Sequence, residues 1–592
     1  MKREAGSQER LNALWMAACL TGGLLGLRLA QLQILERAGY QQLAERNRTQ
    51  IIYQTAARGA IFDRNGKTVA ANQRAFSLIF IPTQRQKNSD LAFLSRQLGR
   101  ELKREPAELL ETLQQAVHEE TALSLAENLP VQVMFRLSEL KTIYPGVSLI
   151  EESRRYYPLG RFASHLLGYM GKIDAKAWRA LKNRGYRGDS RIGKIGLEAA
   201  FEPQLRGRDG GQRMEVDAQG RLKRALESMP GVAGSDLHLT IDAEVQKAAD
   251  EGLRASATNK GAVVAIDPRD GAVLALASAP GFDPNALMSS DPDVVSQAVA
   301  RLDEFDRAVS GSYAPGSTFK VVVGAAGLNE GRFTVQDSVH CPGFLNWGRD
   351  TFLCWNHKGH NGVSWYSGLA NSCDVYFYRM GLRTGGLLIE KYARMFGLGA
   401  PTGVALKGER RGNLFGPSAR QRAGRQWYDG DTINLSIGQG ELLVTPIQMA
   451  VVAAAIANGG TVWRPHYLDR IDYHEARPDY RQAPEKMGQV TLRDEVWDEL
   501  HGAMRMVVSS GTGVAARIAG LDVAGKTGTA QNSSGSDHAW FISYAARPGE
   551  PAAVAVAVLV ENGGHGASAA GPIARAVMMA AYGLQDKKAE QL

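Results

Sequence analysis

At 592 residues the chain is longer than one hydrophobic core supports, so two or three domains are expected. A hydrophobic share of 44% with 22% charged residues is that of a folded globular protein and excludes wholesale disorder. The formal net charge of +8 points to an anionic contact such as nucleic acid, phospholipid headgroups or an acidic polymer. Without zinc-finger spacing, an RNA-recognition signature or aromatic-basic interleaving, nucleic acid is not expected.

In chain order, residues 1 to 10, MKREAGSQER, carry Lys2, Arg3 and Arg10, and residues 11 to 27, LNALWMAACLTGGLLGL, hold no charged side chain. The uncharged run is slightly short of a bilayer span. Arg28 snorkelling to the interface lets LAQLQIL extend it. With no small-x-small cleavage site behind the run, residues 11 to 35 are expected to form an uncleaved signal anchor rather than a cleaved signal peptide or a core helix. The basic residues ahead of it keep a ten-residue tail in the cytoplasm and place the rest of the chain outside the inner membrane.

Residues 36 to 235 are rich in charge, with strand-like pieces such as FSLIFI (76 to 81) between helical ones such as AFLSRQLGRELKREPAELLETLQQAV (92 to 117). This reads as an extended platform. At 236 the texture changes: DLHLTIDAEVQKAADEGL gives a strand, then a helix capped by Asp242. GAVVAIDPRDGAVLALASA (261 to 279) gives a hairpin with DPRDG at its tip. Residues 407 to 425, with six basic side chains against one acid, read as a solvated basic loop. Apolar helices are expected at TPIQMAVVAAAIANGG and RDEVWDELHGAMRMVV, and late strands at AGKTGTAQ, HAWFISYAA and AVAVAVLVEN. Such a mixture predicts an α+β domain over 236 to 585, an antiparallel sheet sandwiched by helices, before a short tail at 586 to 592.

Three motifs in this domain carry chemistry. APGSTFK (314 to 320), ahead of VVVGAAGL, puts Ser317 and Lys320 about one turn apart on one helix face. A lysine in a first turn faces the positive end of the helix dipole. With desolvation by apolar neighbours, this favours the neutral amine that a general base requires, and the free N–H groups of the turn can hold an oxyanion. Alone, the stretch reads as a helix cap with a snorkelling lysine. NSCDVYFY places Ser372 and Asp374 in an S-x-D turn before a helix. KTGT (526 to 529) opens a strand and offers Lys526, Thr527, Gly528 and Thr529, a charge and hydroxyls for a substrate carboxylate. In the order S-x-x-K, S-x-D, K-T-G, spaced 55 and 154 residues apart, the motifs make the signature of penicillin-recognising acyl transferases.

Over nearly its whole length the chain resembles the class B, monofunctional penicillin-binding proteins. RGAIFDRNG (58 to 66), RRYYPLGRFASHLLGYMG (154 to 171) and GKIGLEAAFEPQLRGRDG (193 to 210) resemble the three boxes of that class's pedestal, placing the pedestal at 36 to 235. SCD, where the division type usually carries Asn third, and the segment bearing Cys and His resemble the elongation type, often called penicillin-binding protein two. A division-type enzyme, or a β-lactam-hydrolysing or sensing relative, is the alternative. The resemblance implies a peptidoglycan D,D-transpeptidase in which Lys320 activates Ser317 and Ser372 relays a proton with help from Lys526. It further implies that Ser317 and Thr529 N–H groups hold the oxyanion and that Asp374, Thr527, Gly528 and Thr529 bind substrate. Asp374 departs from the commoner Asn and cannot donate as an amide does. Peptidoglycan stem peptides, a SEDS-family (RodA-like) glycosyltransferase, a MreC-like scaffold and the membrane are the implied partners, with no organic cofactor.

Cys19 lies in the span. Cys341, Cys354, His360 and Cys373 fall within 33 residues and make a complete tetrahedral zinc set. Intervals of 12, 5 and 12 residues match no standard finger, and His340, Asp350 and His357 are alternative ligands. One disulfide with a free thiol, or three buried thiols, are the other readings. Some elongation-type relatives resemble this chain in carrying a structural zinc near the active site. Cys373 lies inside S-x-D, so a metal there would clamp the turn and leave no open water position.

Overall fold

The computed structural model describes residues 2–37, 49–80, 82, 88–118, 123–126, 129, 131–143, 146–216, 222–474, 477–532 and 535–585. Ile81, at the end of an expected strand, and the tail at 586 to 592 lie outside the described residues. The apolar N-terminal run is helical as expected: α1 (Lys2–Ala30) continues as a π turn over Gln31–Leu35. Asn12–Leu35 is long and apolar enough to cross a membrane, and none of its apolar window is buried among the described residues. Arg28 leans towards the C-terminal end of this stretch and meets Glu36 at 3.8 Å.

The chain divides into two compact units. One comprises Met1–Ala56, Arg74–Arg154 and Arg208–Val232; the other comprises Ala57–Gln73, Arg155–Gly207 and Ala233–Leu592. In the first, Thr49–Gln54, Gly210–Val216 and Leu222–Met229 form an antiparallel sheet. The helical stretch expected at 92 to 117 is two helices, Asn88–Leu102 and Pro106–His118. Pro106 lacks an amide hydrogen and restricts the residue before it, and Lys103 turns the chain with φ 52°. Leu91, Leu94, Leu98, Leu109 and Leu113 of these helices pack with Leu78 and Phe80 in one core.

The second unit is built on five antiparallel strands: β1 (Gly261–Ile266), β2 (Val273–Ala279), β3 (Asp522–Ala530), β4 (His538–Ala546) and β5 (Val554–Val560), in the order β2-β1-β5-β4-β3. The expected 261 to 279 hairpin and all three late strands are present. Their apolar runs do not alternate with polar residues because both faces are covered. Ala262, Val264 and Ile266 of β1 enter one core, and Val263 and Ala265 enter the other. On the second face lie α2 (Ala243–Ala255), capped by Asp242 accepting from the Glu244 and Val245 amides, and α7 (Gly571–Ala581). On the first face lie α3 (Lys320–Asn329), α4 (Asp374–Thr384), α5 (Pro446–Ala457), apolar but for Gln448, and most of the apolar side of α6 (Asp494–Ser509). This is the expected sheet sandwiched by helices.

All three pedestal-like boxes meet in this unit at a buried ion cluster. Glu198, fully buried, accepts from Arg58 Nε at 2.6 Å, Arg155 Nε at 2.6 Å and the Tyr157 hydroxyl at 3.0 Å. Arg58 also reaches Glu202 at 2.7 Å, and Arg155 donates to the Gly59 carbonyl at 2.6 Å. Burial alone raises the Glu198 carboxyl, but the two guanidiniums hold it below its ordinary value.

Candidate active site

Ser317 sits in a single 3₁₀ turn, Gly316–Phe319, that runs directly into α3. Its N–H donates to no backbone acceptor among the described residues. Two glycines let this turn lie against β3. A Cβ on Gly316, at φ 54°, would meet the Thr529 carbonyl oxygen at 2.6 Å, and one on Gly528 would meet Thr318 Cγ2 at 2.8 Å. The Thr-Gly-Thr of the strand is therefore explained by close approach to the Ser317 turn. The first and third motifs are in contact.

Lys320 is wholly buried, and its Nζ donates to Asp374 Oδ1 at 2.7 Å, to the Ser372 carbonyl at 2.9 Å and to Ser372 Oγ at 3.2 Å. This joins the first motif to the second. The sequence reading relied on the helix dipole and desolvation to discharge this lysine; the structure supplies a carboxylate partner from the first turn of α4. Asp374 Oδ2 accepts from the Trp355 amide at 2.8 Å, so both of its oxygens are engaged within the protein. Ser372 adopts φ 55°, a left-handed conformation unusual for a residue with a side chain and of the kind held at functional sites by surrounding structure.

Lys526 is also wholly buried and donates to the Thr527 carbonyl at 2.9 Å. Burial first, and the charge of Lys320 second, hold its amine well below the usual lysine range, with Asp374 opposing. Thr527 Oγ1 lies 2.6 Å from Thr512 Oγ1. Thr529 opposes Ala539 on β4. Ser317, Lys320, Ser372, Asp374, Lys526 and the Thr527–Thr529 strand thus form one centre. Sequence reasoning missed Thr512 and Trp355. Gly511 and Gly513 flanking Thr512, just past an expected helix, were the only available signal for the first.

Cys341, Cys354, His360 and Cys373 come together, their ligand atoms all within 4.8 Å of one another, and the three thiols are free. His360 Nδ1 is 3.7 Å from Cys341 Sγ and 3.5 Å from Cys354 Sγ. Bonds of about 2.3 Å to sulfur and about 2.0 Å to nitrogen, meeting at a tetrahedral angle, separate ligand atoms by about 3.5 Å. The donor set therefore fits a tetrahedral metal. A hydrogen bond between Cys354 and Cys373 draws the first thiol down and pushes the second up.

The penicillin-binding protein transpeptidase-domain model matches residues 261–579, and the penicillin-binding protein dimerisation-domain model matches residues 53–239. Peptidoglycan D,D-transpeptidase MrdA of Acinetobacter baumannii is 34% identical over 92% of this chain and 84% of its own length. The chain belongs to the elongation-type class B penicillin-binding proteins. Among solved structures, penicillin-binding protein PBP2 of Helicobacter pylori in complex with MreC is 26% identical, covers 90% of this chain and 99% of its own, and superposes with a TM-score of 0.74. A chain from a structure on coordination of polymerization and crosslinking by a peptidoglycan synthase complex is 31% identical, with 98% and 99% covered and a TM-score of 0.73.

Proposed function

We propose that Ser317 is the nucleophile of a peptidoglycan D,D-transpeptidase acting in cell elongation, and that the other motif residues serve it as follows. The observation that carries the assignment is Lys320 Nζ bonded at once to Ser372 and Asp374, one turn from Ser317. Ser317 Oγ attacks the penultimate D-alanine carbonyl of a stem peptide, the bond to the terminal D-alanine breaks, and D-alanine leaves as its nitrogen gains a proton. An amine of a second stem peptide then takes the acyl group and frees Ser317. A β-lactam stops the sequence at the acyl stage.

Lys320 needs a lone pair to take the Ser317 proton. Its 2.7 Å bond to Asp374 and its 3.2 Å contact with Ser372 Oγ hold the amine in place one turn from Ser317. Asp374 is accordingly a positioning residue for Lys320 rather than a substrate ligand. Ser372 Oγ, 3.2 Å from Lys320, relays the proton to the departing amine, with Lys526 assisting. The N–H groups of Ser317 and Thr529 hold the oxyanion, and Thr527, Gly528 and Thr529 hold the donor carboxylate. Release of D-alanine from a pentapeptide donor tests the reading: Ser317→Ala is expected to fall to background, and release at the native rate would overturn it.

Cys341, Cys354, His360 and Cys373 hold a structural zinc that clamps the Ser372–Asp374 turn. Purified protein is expected to contain about one zinc per chain, and Cys354→Ser to lose it and melt at lower temperature. A metal content near zero in the native protein would contradict this. The matched spans support a pedestal at 36 to 235 and a transpeptidase domain at 236 to 585. Lys2, Arg3 and Arg10 support a single-pass anchor with a cytoplasmic N-terminus and a periplasmic catalytic domain. The complex of a similar chain with MreC supports a MreC-like scaffold as partner, and the complex that coordinates polymerization with crosslinking supports a polymerising partner, which we take to be a SEDS-family glycosyltransferase.

A further inference from the structure

A two-stranded hairpin, Phe344–Trp347 with Asp350–Leu353, stands between the first two catalytic motifs in the chain and runs straight into Cys354 and Trp355. Apolar side chains belong inside, yet two of this hairpin's and one just beyond it are exposed. Phe344 and Leu353 face each other across the strands and are 41% and 57% exposed; Trp355, two residues on from Leu353, is 57% exposed, with buried Cys354 between them.

Trp355 is nevertheless held firmly. Its indole Nε1 donates to the Asn371 carbonyl at 3.1 Å, its amide donates to Asp374 Oδ2 at 2.8 Å, and its ring meets the His360 ring edge-on at 5.5 Å. The ring's hydrogen-bonding end is satisfied inside the protein and its hydrocarbon face is left to solvent. A fixed, exposed aromatic face is the arrangement of a recognition surface, since a merely tolerated surface tryptophan has no need of such anchoring. Asp374 bridges the Trp355 backbone amide and Lys320, so the strip begins one residue's backbone away from the reaction centre. Arg349 at the hairpin tip and Lys358 beyond Trp355 are exposed, and neither forms an ion pair among the described residues.

We propose that Phe344, Leu353 and Trp355, flanked by Arg349 and Lys358, form a subsite for the glycan–peptide strand whose stem peptide reacts at Ser317. The apolar faces of its sugar rings lie on the aromatic strip, and carboxylates of neighbouring stem peptides meet the two cations. A polymeric substrate extends past the reacting bond, and this strip is the surface that continues from it. The inference rests on the transpeptidase reading of Ser317.

The test uses full-length Ser317→Ala protein, which cannot turn over, and measures its affinity for soluble uncross-linked glycan strands bearing pentapeptides and for the free pentapeptide. Trp355→Ala and Leu353→Asn are each expected to weaken strand binding about 10-fold and pentapeptide binding less than about 3-fold. Unchanged strand affinity in both variants would overturn the proposal. Equal losses for strand and free peptide would also overturn it, since they mark damage to the centre itself. If Trp355→Ala lowers the melting temperature or the metal content, Leu353→Asn, which removes no bond to the catalytic turn, decides the matter. Failure of the native protein to be labelled at Ser317 by penicillin would instead sink the underlying transpeptidase reading, independently of strand affinity.

Discussion

Lys320→Ala is expected to lower the rate of acylation by a fluorescent penicillin by about 10³-fold, near the middle of the range for loss of a general base. The amine it removes is wholly buried and is the point where the Ser317 turn, Ser372 and Asp374 are tied together. The substitution also leaves the Asp374 carboxylate with the Trp355 amide alone, an uncompensated charge in a buried site whose stranding costs about 3–5 kcal/mol. Loss of labelling could then follow from loss of fold. The double variant Lys320→Ala with Asp374→Asn separates the two effects: it is expected to recover most of the melting temperature and none of the labelling. Asp374→Asn alone keeps an oxygen acceptor for Lys320 and is expected to keep acylation within about 10-fold of native. Full labelling of a folded Lys320→Ala protein would remove Lys320 from the chemistry.

Glu198→Ala is expected to be the most destabilising single change in the catalytic unit, costing about 3–5 kcal/mol. Two guanidiniums and a phenol converge on this carboxylate with no exposure to water, and its removal leaves buried Arg155 with no carboxylate and Arg58 with Glu202 alone. Because the three boxes lie far apart in the chain, the loss unfastens segments that no local interaction holds. The pH dependence follows from the sign of the shift. A carboxyl held below its ordinary value in the fold contributes stability that is fully present above about pH 4.5 and is lost as pH falls through the depressed value. Thermal melts between pH 3 and pH 7 should therefore show native and Glu198→Gln proteins converging at the acid end. A constant gap across that range would contradict the ion cluster as the source of stability.

Much of this architecture could be read along the chain because it rests on local signals. The hairpin at 261 to 279 announces itself through DPRDG between apolar runs, and Asp242 caps its helix as the residue type requires. The three catalytic motifs were legible from residue type, order and spacing. What escaped was long-range pairing. Arg58 meets Glu198 at a separation of 140 residues, and Lys320 meets Asp374 across 54, so no window of sequence shows either bond. For that reason the dipole and desolvation, both local, were the only causes visible at Lys320, while the decisive neighbour lay on another helix. Pro106 was in plain view, and the break it imposes on the 92 to 117 stretch was obscured by strong helical periodicity on both sides. Gly528 was read only as part of a substrate-binding strand, and its close approach to the Ser317 turn is again a long-range contact that no window of sequence shows.

The central claim is that Ser317 carries the acyl group. Incubating the full-length protein with a penicillin and mapping the adduct by peptide mass spectrometry tests it most directly. One adduct, on the peptide spanning Ala314 to Lys320 and localised to Ser317, is the predicted result. An adduct on Ser372 or another residue, or adduct formation that persists in Ser317→Ala, would contradict it.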